Sequence, residues 1–257
     1  MRVVVTGAGG GIGAALARRF AADGARVVVN DLDPAAAEAV AGQTGGVAVP
    51  GDAAREADVR RLVDVAYAEL GGIDLFCSNA GVLSAGTEDT PDEVWQRDFG
   101  VNVLSHVYAS RALLPRWLDG DGGRFLMTVS AAGLLTILGS APYAVTKHAA
   151  LAYAEWLRVT YAHRGLVVQA LCPQGVRTDM LTRGGERGSA AAAQLAAGAL
   201  AADEVAEVVA KALDGDRFLI LPHPEVAEYY RRRADDPDRW LTGMNRIQRG
   251  FDQADRP

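Results

Sequence analysis

Short apolar runs, mostly of β-branched residues, alternate with Ala-rich stretches over most of this 257-residue chain. Such runs are typical of strands that are buried on both faces, and the stretches between them have the apolar spacing of helices. We expect seven strands: Arg2 to Val5, Arg26 to Asn30, Val47 to Pro50, Leu75 to Cys77, Arg124 to Val129, Leu166 to Leu171 and Phe218 to Leu221.

The order of these elements predicts how the sheet is built. Between the first two strands, Ala14 to Gly24 has a helical apolar pattern with a glycine stop, which completes a β-α-β unit. Right-handed crossovers then give an α/β fold, in which helices cover both faces of a doubly wound, Rossmann-like parallel sheet of about seven strands. Because the chain is 49% hydrophobic and can bury one large core, we expect a single domain over residues 1–257.

Two segments depart from the alternation. Residues 177–202 combine glycines and arginines with an Ala-rich stretch, and we expect no strand there. This segment is either an ordinary surface excursion or a lid over the ligand crevice, and its place after the sixth strand favours the lid. Residues 224–252 predict a C-terminal helical extension of two short helices.

Charge and hydropathy argue against several kinds of partner. The formal charge of -6 and the isoelectric point near 5.3 leave no basic surface for nucleic acid or anionic lipid. No apolar run approaches membrane-spanning length, and the first strand begins at Arg2, where a leader peptide would have to stand. We therefore expect a cytoplasmic protein that binds neither nucleic acid nor membrane.

The cysteines and histidines give no metal or redox signal. Cys77 and Cys172 each end an apolar run, where a thiol behaves as a small buried hydrophobe. None of the four histidines has a partner at metal-ligand spacing, so we interpret them as surface or satisfied structural residues and predict no metal.

A glycine-rich turn joins the first strand to the first helix. The sequence Thr6-Gly-Ala-Gly-Gly-Gly-Ile-Gly13 allows a sharp turn and a close approach of phosphate to a helix N-terminus. Asp31 ends the second strand, where a carboxylate can accept hydrogen bonds from ribose hydroxyls. Since this carboxylate would repel a 2′-phosphate and the turn holds no basic residue, we expect NAD rather than NADP. Asp33, before Pro34, is the better candidate for a helix cap.

Tyr143 and Lys147 lie four residues apart in a helical-looking run from Pro142 to His163. This spacing puts both side chains on one face of a helix. A buried tyrosine beside a lysine ammonium ionises more easily, so the phenol can act as an acid or base nearer neutral pH. A tyrosine and a lysine at this spacing are common by chance, so the pair indicates a catalytic site only together with the motifs around it.

Taken together, the motifs resemble those of the short-chain dehydrogenase/reductase family. They are Thr6-Gly-x-x-x-Gly-Ile-Gly13, Asp52 after the third strand, Ser78-Asn-Ala-Gly81 after the fourth, Asn102, Ser130 and Tyr143-x-x-x-Lys147. The resemblance runs from Arg2 to about Leu221. It implies an NAD-dependent oxidoreductase of the short, single-domain branch, which transfers a hydride between the nicotinamide and a secondary alcohol or ketone.

The resemblance also implies a role for each site residue. Tyr143 would exchange a proton with the substrate oxygen, and Ser130 would hydrogen-bond the same oxygen. Lys147 would bind the nicotinamide ribose and lower the pKa of Tyr143, while Asn102 would hold a water in a proton relay. The cofactor-binding positions would be Gly7, Gly11, Ile12, Gly13, Asp31, Asp52, Ala53, Asn79, Ala80, Gly81, Tyr143, Lys147, Pro173, Val176 and Thr178.

The substrate side differs from the family pattern at Gln174, which stands where the family has a glycine beside the nicotinamide. A long amide there would contact the substrate or stiffen the loop. A milder change puts Ser78 in place of an asparagine. Apolar residues flank the expected site, and few charges are available for a carboxylate or phosphate, so we expect an apolar or cyclic substrate. The candidate contacts are Leu83, Ala132, Leu134, Leu135, Gln174, Met180 and Leu181.

Other functions stay open at this point. The chain could be a dinucleotide-sensing regulator without catalysis, or an NADP-using carbonyl reductase. A sugar-nucleotide epimerase would need a substantial C-terminal domain, whereas only about thirty-five residues follow the last predicted strand. Because cells generally keep NAD oxidised, we favour alcohol oxidation as the direction in vivo.

The resemblance finally implies a homotetramer or homodimer. The long helices around Val101 to Leu118 and Tyr143 to His163 would form the contact surface. Small residues on the second helix would allow close approach, and they fit an internal packing face equally well. These are Ala149, Ala150, Ala152 and Ala154.

Overall fold

The computed structural model describes residues 1–120, 122–181 and 198–254. Seven of its strands form one parallel sheet in the order β3-β2-β1-β4-β5-β6-β9. They are β1 (Arg2–Val5), β2 (Arg26–Val29), β3 (Val47–Ala48), β4 (Leu75–Ser78), β5 (Gly123–Thr128), β6 (Leu166–Leu171) and β9 (Leu219–Ile220). The strand order reverses between β1 and β4, which is where doubly wound sheets bind their ligands. The predicted α/β sheet is confirmed.

Helices cover both faces of this sheet. They are α1 (Gly11–Ala22), α2 (Pro34–Thr44), α3 (Glu56–Leu70), α4 (Asp92–Phe99), α5 (Ser105–Leu118), α6 (Ala132–Leu135), α7 (Ala141–Tyr161), α8 (Ala202–Ala212), α9 (Glu225–Asp235) and α10 (Pro237–Ala254). A π-helical turn, Gly100–Leu104, joins α4 to α5, and a short 3-10 turn, Ala162–Arg164, follows α7.

The apolar core lies in two layers, one on each face of the sheet. In β1, Val4 belongs to the layer under α3, α5 and α7, while Val3 and Val5 belong to the layer under α1, α2 and α8. This alternation follows from the two-residue period of a strand. All three valines are fully buried, which explains why the strand sequences read as continuous apolar runs.

The segment over residues 177–202 was predicted to lack strands, and this was wrong. β7 (Val176–Arg177) pairs in parallel with β8 (Leu200–Ala201) and forms a separate two-stranded ladder. Strands of two residues carry too little pattern to be seen in a sequence. Residues 182–197, the larger part of the predicted lid, lie outside the described residues.

The remaining local predictions have mixed outcomes. Asp33 caps α2, since its carboxylate accepts hydrogen bonds from the N–H groups of Ala35 and Ala36. Both cysteines are free and buried. His106 and His223 are buried and each makes a hydrogen bond through Nδ1, to Ser78 and Gln174. The Nε2 atom of each finds no partner within the described ranges, so the expected satisfaction holds for one ring nitrogen of each. None of the described helices is both long and apolar enough to cross a membrane.

Candidate active site

One large cavity of about 2300 Å³ opens at the carboxyl ends of the central strands. The glycine turn and the end of β2 line one part of it, and the loops after β4, β5 and β6 line another. A pocket for one small ligand measures roughly 300 to 1,000 Å³. This cavity therefore has room for more than one molecule.

The glycine turn is shaped for close approach of a ligand. Gly7 and Gly11 have left-handed backbones, with φ of 59° and 52°, which side-chain-bearing residues rarely adopt. Within the described part of the chain, no atom would crowd a Cβ on Gly10, and no side chain caps the N-terminus of α1. The free N–H groups there can therefore receive the phosphates of a dinucleotide.

Gly13 serves the turn in a different way, because it does not line the cavity. A Cβ atom on Gly13 would overlap the main-chain oxygen of Gly7 and lie 2.6 Å from the amide nitrogen of Asn79. Glycine at this position allows α1 to pack directly on the turn. The turn residues that reach the cavity are Gly7, Gly10, Gly11 and Ile12.

Asp31 stands at the cavity wall after β2. Its carboxylate accepts hydrogen bonds from the N–H groups of Gly9 at 2.8 Å and Asp33 at 3.0 Å. These bonds fix the carboxylate against the glycine turn, where the ribose of an adenosine would lie. Arg18 also lines this part of the cavity, and only long hydrogen bonds of 3.4 and 3.5 Å join it to Gln43 and Asp203.

The loop after β4 completes the adenosine side of the cavity. The side chain of Asn79 donates to the carbonyls of Thr6 and Gly7 at 3.0 and 3.2 Å and accepts from the hydroxyl of Thr128. It therefore ties the ends of β1, β4 and β5 together. The other predicted cofactor positions that line the cavity are Asp52, Ala53, Ala80, Gly81, Pro173, Val176 and Thr178.

Ser130 and Tyr143 are both buried and both line the cavity. Ser130 follows β5, and Tyr143 lies in the first turn of α7. The N–H of Ala132 donates to Ser130 Oγ at 3.1 Å, and the Ser130 hydroxyl reaches the Pro173 carbonyl only at 3.5 Å. Ser130 also hydrogen-bonds the Tyr143 side chain and thereby favours its ionised form. The main chain therefore holds the serine oxygen beside Tyr143.

Lys147 lies one helical turn after Tyr143 and is almost fully buried. Its Nζ atom donates to the Thr128 carbonyl at 3.1 Å and lies 5.5 Å from the centre of the Tyr143 ring. Burial lowers the pKa of Lys147 to about 8, against the opposing effect of the Cys172 and Asp98 side chains. As the four-residue spacing predicted, Tyr143 and Lys147 lie on the same face of α7.

Burial is the largest influence on the pKa of Tyr143. It raises this pKa above its ordinary value, and the Ser130 hydroxyl offsets this only in part. The expected lowering of this pKa by Lys147 stays a prediction. Tyr143 is therefore a neutral phenol at neutral pH, ready to donate a proton.

Asn102 is fully buried in the π-helical turn and does not line the cavity. Its amide nitrogen donates to the Val82 carbonyl and the Thr146 hydroxyl, and its amide oxygen accepts from the Val82 N–H. Both amide protons are therefore used in bracing the loop after β4 against α7. The structure does not bring this side chain to the cavity surface.

The predicted substrate contacts divide into two groups. Six of them line the cavity: Leu83, Ala132, Leu135, Gln174, Met180 and Leu181. Leu134 does not, because it is 1% exposed and belongs to the apolar core, so its assignment was wrong. A helix of only four residues, such as α6, is too short for its sequence pattern to show which of two adjacent leucines faces the cavity.

His223 is a further residue that the sequence did not single out. Its Nδ1 atom accepts a hydrogen bond from the N–H of Gln174 at 3.1 Å. This bond fixes the loop after β6, which carries Pro173, Gln174 and Gly175 along the cavity wall. His223 therefore positions the loop on which the unusual glutamine stands.

The C-terminal helices form a wall of the cavity that the sequence did not reveal. Residues of α9 and of α10 line it together with the loops after the strands. α9 is held in place by a hydrogen bond from Arg233 to the carbonyl of Leu134, in α6. The cavity residues from this region are Tyr229, Arg232, Asp235, Asp236, Arg239, Trp240, Gly243, Met244, Arg246, Ile247 and Phe251.

Comparison with known proteins gives the family. Residues 1–187 match the family described as short chain dehydrogenase. The chain belongs to the short-chain dehydrogenase/reductase family.

Relatives in this family are similar to most of the chain. The 1-deoxy-11-beta-hydroxypentalenate dehydrogenase of Streptomyces exfoliatus is 38% identical over 244 residues, which cover 91% of this chain and 86% of the relative. The D-beta-hydroxybutyrate dehydrogenase of Cupriavidus necator is 32% identical over 70% of this chain and 72% of its own.

Solved structures agree with the fold. A family member from Burkholderia phymatum in complex with NAD superimposes with a TM-score of 0.83 at 28% identity, over 92% of this chain and 93% of its own. A 3-ketoacyl-(acyl-carrier-protein) reductase from Brucella melitensis complexed with NADH gives 0.75 at 29% identity, over 85% and 93%. This short-chain dehydrogenase is thus a nicotinamide-dependent oxidoreductase that acts on an alcohol or a ketone.

Proposed function

We propose that this protein is an NAD-dependent dehydrogenase of apolar secondary alcohols, with Tyr143 as the group that exchanges the proton. One observation carries the proposal. Ser130, Tyr143 and Lys147 lie together in the wall of a single cavity, and the glycine turn with Asp31 lies in another part of the same wall. A substrate and a dinucleotide can therefore be held in one space.

Ser130 would orient the substrate. Because the Ala132 N–H occupies one side of the serine oxygen, the hydroxyl proton is directed away from it, toward Pro173 or a ligand oxygen. A substrate oxygen offers a stronger hydrogen bond than the carbonyl at 3.5 Å. Ser130 thereby places that oxygen next to the Tyr143 hydroxyl.

Tyr143 would move the proton. In alcohol oxidation the phenolate oxygen takes the hydroxyl proton of the substrate, and in ketone reduction the phenol returns it. When bound, a nicotinamide dinucleotide accepts or supplies the hydride of the reaction. Burial keeps water away from the Tyr143 hydroxyl, so the proton passes to the substrate rather than to solvent.

Lys147 would bind the cofactor ribose and hold a positive charge beside Tyr143. One N–H of its ammonium is used by the Thr128 carbonyl, which leaves two donors for ribose hydroxyls. The main-chain bond fixes the direction of the side chain. Asn102 acts at a distance in this proposal, by bracing the loop through Val82 and α7 through Thr146.

The preference for NAD rests on Asp31. A carboxylate fixed by Gly9 accepts hydrogen bonds from the two hydroxyls of an adenosine ribose and repels a 2′-phosphate. Arg18 is a cation that also lines the cavity, and its bonds to Gln43 and Asp203 are long. Asp31 is therefore the residue that sets the choice between the two cofactors.

The substrate is proposed to be an apolar, cyclic secondary alcohol. Leu83, Leu135 and Met180 provide apolar surface near the catalytic residues. The relatives are named as dehydrogenases of hydroxypentalenate and hydroxybutyrate, which supports a hydroxylated substrate here. We further propose that the chain is one domain, works in the cytoplasm, and forms a homotetramer or homodimer through α5 and α7.

Assays of NADH formation with a panel of apolar secondary and cyclic alcohols test the proposal. We expect turnover with NAD that exceeds turnover with NADP by at least about tenfold. Tight NADH binding without turnover of any alcohol, or equal use of both cofactors, would contradict it.

A further inference from the structure

The C-terminal helix α10 presents an apolar row to the cavity. Trp240, Met244, Ile247 and Phe251 follow one another at intervals of four, three and four residues, and all four line the cavity. This spacing places them on one face of the helix. The row adds apolar surface to the same cavity that Ser130 and Tyr143 line, so this cavity is suited to a bulky hydrocarbon body.

Two arginines border this row along one side of α10. Arg239 and Arg246 are seven residues, or two turns, apart, and both line the cavity. Gly243, which has no side chain, stands between them and leaves the space next to the arginines open. The sequence had indicated few charges for a carboxylate, and the placement of α10 corrects that expectation.

The two arginines differ in their surroundings. Asp235 and Asp236 also line the cavity at the start of α10, and Asp236 accepts a hydrogen bond from the main-chain N–H of Arg239. These carboxylates oppose an anion near Arg239. Arg246 is two turns further along the helix, and its guanidinium makes no hydrogen bond or ion pair with any residue in the described ranges.

The wall is held firmly beside the catalytic residues. Trp240 contacts Tyr229 of α9 with ring centres 6.2 Å apart, and it packs against the apolar core. Arg233 of α9 then donates to the Leu134 carbonyl in the turn that follows Ser130. The position of α10 is thus fixed relative to the catalytic side of the cavity.

We propose that Arg246 binds the carboxylate of the substrate, while the apolar row of α10 holds its hydrocarbon body. The substrate class is therefore a bulky, apolar hydroxy acid. A guanidinium can form two parallel hydrogen bonds with a carboxylate, which gives orientation as well as affinity. That the ligand is a substrate rests on the proposed function; that the cavity binds an apolar carboxylate does not.

Binding of two probes of equal shape tests the proposal without any turnover. Adamantane carboxylate and adamantane carboxamide share an apolar polycyclic body and differ in charge. Isothermal titration calorimetry measures the affinity of each for the full-length wild-type chain, for Arg246→Gln and for Arg249→Gln. Arg249 is the matched control, because it lies on the same helix opposite Trp240 and does not line the cavity.

We expect the wild-type chain to bind the carboxylate about tenfold more tightly than the carboxamide. Arg246→Gln should remove this preference and leave carboxamide binding unchanged, whereas Arg249→Gln should keep it and Arg246→Lys should restore part of it. Equal affinities in the wild type, binding of neither probe, or an equal loss in Arg249→Gln would overturn the proposal. A carboxylate preference that depends on Arg246 in a chain that oxidises no alcohol would leave the anion site in place and refute the proposed function alone.

Discussion

The buried ammonium of Lys147 lies 5.5 Å from the centre of the Tyr143 ring and donates its hydrogen bond to the Thr128 carbonyl. The two side chains are therefore neighbours on one face of α7. Burial is the largest influence on the pKa of Tyr143 and raises it. The protein is poised to donate a proton from this residue and needs a higher pH to accept one.

The rate of alcohol oxidation should depend on pH. Alcohol oxidation needs the Tyr143 phenolate, and because burial raises the pKa of Tyr143, the phenolate fraction increases with pH throughout the range above neutrality. We expect kcat/KM for alcohol oxidation to rise from about pH 7 to about pH 8, above which Lys147, whose pKa burial lowers to about 8, loses its charge. We expect kcat/KM for ketone reduction not to rise over this range. Initial rates across this range check it. An oxidation rate that falls with pH would show that another group limits the reaction.

Asp31 should decide which dinucleotide is used. Replacing it with Ala removes the repulsion of a 2′-phosphate, while Arg18 remains as a cation of the cavity wall. We expect Asp31→Ala to reduce the preference for NADH over NADPH by about tenfold or more. The double variant Asp31→Ala with Arg18→Gln should recover less NADPH binding than the single variant. Fluorescence titration of both cofactors measures this, and an unchanged preference in Asp31→Ala would refute the assignment.

Substitution of two glycines of the turn by alanine should affect the free energy of unfolding to different extents. Gly13→Ala places a Cβ atom against the Gly7 carbonyl and the Asn79 amide, whereas the same change at Gly10 meets open space. We expect Gly13→Ala to lower the free energy of unfolding by roughly 1 to 3 kcal/mol, and Gly10→Ala to change it by less than about 0.5 kcal/mol. Urea unfolding of the ligand-free protein compares them. Equal effects would contradict the packing role given to Gly13.

The outer face of α7 should mediate self-association. Val145, Trp156 and Val159 are exposed on one stripe of this helix, with Val159 83% exposed, while Ala150 and Ala154 are buried within the protomer. The alanines therefore serve internal packing, and the larger residues are left for a second copy. We expect a dimer or tetramer by light scattering at micromolar concentration.

A charged substitution gives the control for that surface. Val159→Glu should shift the oligomer toward smaller species, because it would bury a charge in an apolar contact. Leu241→Glu, at another exposed apolar residue on α10, should leave the mass unchanged. A wild-type monomer would refute the oligomer.

The sequence predicts the sheet well because its strands are buried on both faces. The assignment of β1 is an example. Val3, Val4 and Val5 form a continuous apolar run that a glycine-rich turn follows, and this pattern fits few structures other than a buried strand. The pair β7 and β8 escaped prediction because two-residue strands have no period. Their pairing depends on contacts across more than twenty residues of chain.

The site was predictable where a motif fixes both residue and direction. The cavity is lined, as expected, by Ser130, Tyr143 and Lys147. The motif did not reveal that both amide protons of Asn102 are donated to Val82 and Thr146. The sequence predicted C-terminal helices without singling out the apolar row from Trp240 to Phe251. Only the folded position of α10 shows that this row, with Arg246 beside it, faces the cavity rather than the core.

The most direct test of the account compares NADH formation by the wild type, Tyr143→Phe and Tyr153→Phe with the best alcohol of the panel. Tyr153 is the control, because its hydroxyl bonds Ser110 and it does not line the cavity. We expect Tyr143→Phe to lose at least about a hundredfold in kcat while still binding NADH, and Tyr153→Phe to stay within about twofold of the wild type. Turnover that survives in Tyr143→Phe would contradict it.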